Sequence, residues 1–102
     1  LEAAGNGAFQ WTRRAGTIRA TLVMPQITIA PGESFTAEKL MTGPEPGDPV
    51  LVNPPAALPA GVSFYAFVAS LNKVHVVVVN GSKSDQQIGT LPDPWNIAVF
   101  KE

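Results

Sequence analysis

Val62-Ser63-Phe64-Tyr65-Ala66-Phe67-Val68-Ala69, then Ser70-Leu71-Asn72-Lys73, then Val74-His75-Val76-Val77-Val78-Val79, is the stretch whose reading decides the fold. In the first run Val62, Phe64, Ala66 and Val68 alternate with Ser63, Tyr65, Phe67 and Ala69. Successive side chains of an extended chain point to opposite faces, so alternation rich in β-branched and aromatic residues marks a strand. Both faces of this run are largely apolar, which predicts a central strand. Asn72 tolerates the left-handed backbone that a tight reversal needs. The second apolar run therefore returns beside the first, and the whole predicts an antiparallel hairpin.

The pattern continues outward on both sides. Upstream, Ile18, Ala20, Leu22 and Met24 share one face while Thr17, Arg19 and Thr21 share the other. Pro25 ends that half-buried strand, because proline has no N–H to give to a ladder. Ile27-Thr28-Ile29 reads as short and extended, and Ala30-Pro31-Gly32-Glu33 as a turn. Ser34–Leu40 is the next strand, with Phe35 and Ala37 opposite Thr36 and Glu38. Gly43-Pro44-Glu45-Pro46-Gly47-Asp48-Pro49 is the densest run of breakers and predicts a surface loop. Val50-Leu51-Val52 is a short apolar strand. Residues 53–61 carry Pro54, Pro55 and Pro59, which predicts a rigid connection with room for one helical turn at residues 56–58. Downstream, Asn80-Gly81 ends the hairpin, and the polar residues 82–87 read as an exposed loop. Leu91-Pro92-Asp93-Pro94 turns the chain into Trp95–Phe100, where Trp95, Ile97 and Val99 share the inner face. Six or seven short strands without a long helix predict an all-β domain. The expected architecture is a single small antiparallel β-sandwich, immunoglobulin-like or jelly-roll, over residues 16–102; the alternation also allows a small barrel.

Residues 1–15 read as an extended N-terminal arm, rich in Ala and Gly and without periodicity. Phe9, Trp11, Arg13 and Arg14 are its candidate partner-binding residues, because aromatics and arginine are favoured interface anchors. The other reading of Phe9 and Trp11 is cover for an edge of their own domain.

Bulk composition narrows the function classes. A chain of 102 residues suits one domain. The net charge of -1 gives no basic surplus for a phosphate backbone or an anionic membrane surface. No apolar run approaches the roughly 20 residues needed to span a bilayer. Cysteine is absent, which removes disulfides and thiolate chemistry.

The inventory for catalysis is thin. His75 is the only histidine, and no Gly-x-Ser-x-Gly elbow or phosphate loop accompanies it. Asp85, Asp93, Glu33, Glu38 and Glu45 are scattered and form no calcium-loop pattern. Asn80-Gly81-Ser82 matches a glycosylation acceptor, although a turn after a strand accounts for it as well. No metal, no cofactor and no enzymatic activity is expected.

One stretch carries a resemblance. Gly47-Asp48-Pro49-Val50-Leu51-Val52-Asn53-Pro54-Pro55-Ala56-Ala57-Leu58-Pro59-Ala60-Gly61-Val62 looks like the GDxVxVxPPAALPAGL signature of small tailed-bacteriophage virion proteins and domains. Ala20-Thr21-Leu22, Met24-Pro25, Ile27-Thr28-Ile29-Ala30 and Gly32-Glu33-Ser34 are similar to the family's opening. Phe67-Val68-Ala69-Ser70-Leu71-Asn72-Lys73-Val74-His75-Val76 is similar to its hairpin, and Trp95-Asn96-Ile97-Ala98-Val99 to its closing strand. The match runs from about Thr17 to Lys101 and leaves out the Phe9, Trp11 arm. The resemblance implies a structural virion protein, either a capsid cement (decoration) protein or a tail fibre or spike module. For cement, the implied partners are the major capsid protein and copies of the chain itself, as a homotrimer on the capsid surface. For a fibre, the implied ligand is a host surface glycan, met by the loops at residues 43–49 and 82–87.

Overall fold

The alternating runs become strands, and the breakers between them turns, in a computed structural model that describes residues 16–89 and 93–101. In chain order the strands are β1 (Thr17–Leu22), β2 (Ile27–Ile29), β3 (Ser34–Leu40), β4 (Val50–Asn53), β5 (Val62–Ser70), β6 (Lys73–Asn80), β7 (Gln86–Ile88) and β8 (Trp95–Phe100). All pairs are antiparallel. They form three small sheets, ordered β1-β8-β4, β2-β7 and β3-β6-β5. The protein is all-β, with no helix among the described residues, and its layering is compatible with a small β-sandwich.

The predicted hairpin is β5–β6, and Asn72 turns it with φ 64°. The turn at residues 30–33 also forms, with Gly32 at φ 78° and the Glu33 N–H donating to Ala30 O at 3.0 Å. Two three-stranded sheets close over one core. Val74, Val76 and Val78 of β6 are fully buried, as is Val99 of β8, with Ile97 and Trp95 nearly so. Phe64 of β5 meets Trp95 of β8 edge to face at 5.5 Å, which joins the sheets. Burying each such aliphatic side chain contributes on the order of 2 kcal/mol.

Several expectations are corrected. β5 is an edge strand of its sheet, and β6 is the central one. An apolar second face does not prove that anything covers it. Residues 82–87 are not one loop: Gln86–Ile88 is β7, paired with β2 in the register Ile27↔Ile88. A three-residue strand with two glutamines carries no alternation to read, and only Ile88 is buried. No helical turn forms at residues 56–58, where the flanking prolines leave too few amide donors. β1 stops at Leu22, although Met24 beyond it is still buried.

Asn80 closes one end of the domain. Its side chain is fully buried. Nδ2 donates to Ile29 O at 2.7 Å and to Ser84 O at 2.9 Å. Oδ1 accepts from Ser82 N–H at 2.9 Å and from Ser82 Oγ at 2.6 Å. Its main chain exchanges bonds with Gly32 and Glu33. Every polar capacity of the amide is therefore satisfied, as burial demands.

The proline-rich stretch 43–49 closes the other end. Gly43 N–H donates to Asn72 Oδ1 at 2.8 Å, Asn72 N–H donates to Pro44 O at 2.8 Å, and Pro44 is buried. Asp48 accepts from Lys101 Nζ at 2.6 Å and from Glu45 N–H at 2.9 Å. The Lys101 hydrogen bond, then that of Glu45, holds the Asp48 carboxyl below its ordinary range, and the same Asp48 bond raises Lys101.

Two outcomes follow from these contacts. Gly89 sits at φ 72°, and a Cβ there would overlap the Pro25 carbonyl. Gly89→Ala is expected to cost about 2 kcal/mol or more, read from urea midpoints. A depressed Asp48 stabilises the fold above the ordinary carboxylate range and loses that contribution as pH falls through its folded value; a raised Lys101 loses it only in strong alkali. Lys101→Met is therefore expected to lower the urea midpoint at about pH 7 and to converge on the wild type near about pH 2.

Candidate interaction surface

A strand that packs Phe64, Ala66 and Val68 against the core must turn Ser63, Tyr65, Phe67 and Ala69 the other way. Tyr65 and Phe67 stand on that outer face, 55% and 43% exposed. Their rings lie 6.1 Å apart and within 21° of parallel. Sheet register sets their neighbours. Phe67 lies opposite His75 of β6, and His75 lies opposite Glu38 of β3. Tyr65 lies opposite Val77, and Val77 opposite Thr36.

The row across the sheet is thus Glu38, His75, Phe67. His75 Nε2 is 3.2 Å from Glu38 Oε2, and the imidazole meets Phe67 edge on at 5.5 Å. Lys73 Nζ lies 3.6 Å from the same Glu38 oxygen. Leu40 and Leu71, 67% and 63% exposed, add apolar area toward the hairpin turn. Aromatic rings at the centre with an ion pair at the rim is the composition of a protein contact surface. Exposed ion pairs of this kind contribute little to stability.

A concavity of about 280 Å³ lies beside the proline-rich connection, between Pro54, Leu58, Ile88 and Trp95. Its wall is the Pro54-Pro55-Ala56-Ala57-Leu58 stretch itself, and Leu58 leans on the core. Pro59 O accepts from Val62 N–H at 3.1 Å, which turns this wall into β5.

Phe9, Trp11, Arg13 and Arg14, the expected arm anchors, lie outside the described residues. The two expected binding loops are not brought together. Residues 43–49 contact Asn72 before β6, and residues 82–87 follow Asn80 after it. β6 is eight residues long, so at roughly 3.3 Å per residue the loops are on the order of 25 Å apart. Asn80 of the glycosylation pattern has both amide hydrogens engaged and no exposed surface, so the folded state does not present it. Among the described residues no cluster of three or more His, Asp or Glu could hold a metal ion.

The outer aromatic face is the feature that reading the sequence misses. Its signal, the apolar second face of residues 62–69, is present but is equally the signal of a covered strand. Comparison with protein-family profiles, curated proteins and solved structures finds no match for the chain.

Replacing both rings, Tyr65→Ser with Phe67→Ser, is expected to leave unfolding stability within about 1 kcal/mol of wild type. Solubility is expected to rise, because the change removes exposed apolar area and leaves the core intact. Urea unfolding and the concentration at which the protein precipitates measure the two effects.

Proposed function

We propose that the chain is a structural protein of a tailed-phage particle, a capsid cement protein that holds neighbouring capsid subunits. The observation that carries the binding role is the outward-facing Tyr65–Phe67 pair on a hydrogen-bonded sheet. Two aromatics fixed by strand register lose little conformational freedom on contact, which favours a permanent grip. The phage setting is supported by the sequence resemblance around Pro54-Pro55-Ala56-Ala57-Leu58.

In this reading the partners are the major capsid protein and further copies of the chain, assembled as a homotrimer on the virion surface. The domain supplies a rigid face, and the arm supplies reach. Phe9, Trp11, Arg13 and Arg14 anchor on an adjoining subunit, so that each copy grips two surfaces. The protein is not an enzyme in this account and uses no cofactor, nucleic acid or membrane. The tail fibre or spike reading needs loops 43–49 and 82–87 to meet a host glycan. Their separation along β6 and the anchoring of the first loop at Asn72 favour cement over that reading.

Attachment to capsids lacking the protein tests the proposal. The full chain is expected to saturate them. Deleting residues 1–14, or replacing Tyr65 and Phe67 by serine, is expected to weaken binding at least about tenfold, the loss of one or two interface anchors. Folding is expected to persist in both. Unchanged capsid occupancy by both variants would overturn the proposal.

A further inference from the structure

Asn80-Gly81 is a chemically vulnerable dipeptide placed where the side chain is fully buried and hydrogen-bonded. The backbone nitrogen of a residue after asparagine can attack the side-chain amide, and glycine, lacking a Cβ, hinders that attack least. Here the fold blocks each requirement of the reaction. The Gly81 N–H, which must lose its proton to attack, donates to Gly61 O at 2.8 Å. The Asn80 amide is held by Ile29 O and Ser84 O on one side and by Ser82 on the other. Its side chain is fully buried, away from water and base.

We propose that Asn80-Gly81 is a self-modification site that the native fold holds shut, and that an opening of the β6 end during which the ring closes is converted irreversibly into loss of the fold. When Asn80 is released, the deprotonated Gly81 nitrogen bonds to Asn80 Cγ. The Cγ–Nδ2 bond breaks, ammonia leaves, and a five-membered succinimide remains. Water then adds to one carbonyl of the ring and that carbon's bond to the Gly81 nitrogen breaks, which leaves aspartate when Cγ is attacked and isoaspartate when the main-chain carbonyl is; no redox partner is needed. Neither product fits the site it came from. An aspartate oxygen replaces the Nδ2 donor and faces Ile29 O and Ser84 O, acceptor against acceptor. It also brings a charge into a fully buried position. An isoaspartate inserts an extra methylene into the main chain, where the Asn80 N–H donates to Glu33 O and its carbonyl accepts from Gly32 N–H. The local opening that deamidation needs thus becomes a one-way step.

The test uses the unaltered 102-residue chain, incubated folded and in urea in the same mildly alkaline buffer, with peptide mapping by mass spectrometry. Asn6-Gly7, the same dipeptide elsewhere in the chain, calibrates the intrinsic rate in the urea sample. Asn80 is expected to convert at least about tenfold more slowly in the folded protein than in urea, because reaction must wait for opening. Chains converted at Asn80 are expected not to regain the wild-type melting transition after urea is removed. Gly81→Ala, in urea, is expected to slow conversion at Asn80 and not at Asn6, the mark of the cyclic route. Equal rates in the folded and unfolded samples, or converted chains that refold to the wild-type midpoint, would overturn the proposal.

Discussion

The register of β6 is the constraint on which the rest of the structure depends. It is the one strand of its sheet paired on both sides, and Val74, Val76 and Val78 on its inner face are completely buried. A slip of one residue would drive Lys73 and His75 into the core and turn these valines to water. Two asparagines flank the strand and hold it in place. Asn72, at φ 64°, fixes where the hairpin reverses and ties the turn to Gly43 and Pro44. Asn80 fixes where the strand ends, by joining β2, the turn before β3 and residues 82–84 through its amide and main chain. Polar side chains thus do the specifying, while valine and isoleucine supply most of the burial.

From this register the outer face follows. A three-stranded sheet in a small sandwich has one partner layer, so half of its side chains stay outside. On β5 those positions hold Tyr65 and Phe67, beside His75 and Glu38 from the neighbouring strands. With only 15% charged residues in the chain, polar side chains do not mask these rings. Exposed aromatic area fixed on a sheet is a liability for a free monomer and an asset for a protein that spends its life seated on another. The binding account rests on that asymmetry between a fully satisfied interior and an unsatisfied outer face.

Much of this was legible from residue order. Period-two alternation gives β1, β3, β5 and β8, because one-sided burial writes itself into every second residue, and β6 is given by a continuous apolar run after a turn. Pro31-Gly32 and Asn72 announce their turns, because few residues accept those backbone angles. What was not legible depends on distant neighbours. Nothing local says that β5 is an edge, since its sequence suits a covered strand equally well. β7 is too short and too polar to show periodicity, and it exists because β2 offers it a ladder. The role of Asn80 was hidden as well: the sequence reads it as a turn after a strand, whereas four side-chain hydrogen bonds with three other residues make it a buried junction. The candidate surface was therefore half readable. Its residues stand out in the sequence, but their outward exposure does not.

The most direct measurement places a photo-crosslinking side chain, benzoylphenylalanine, at position 67 and, in a separate preparation, at position 96 on the outer side of β8, then illuminates assembled particles. The account expects position 67 to join covalently to the major capsid protein or to a second copy of the chain, well above the yield at position 96. Equal, low yields at the two positions would contradict it, because the aromatic face would then be looking into water.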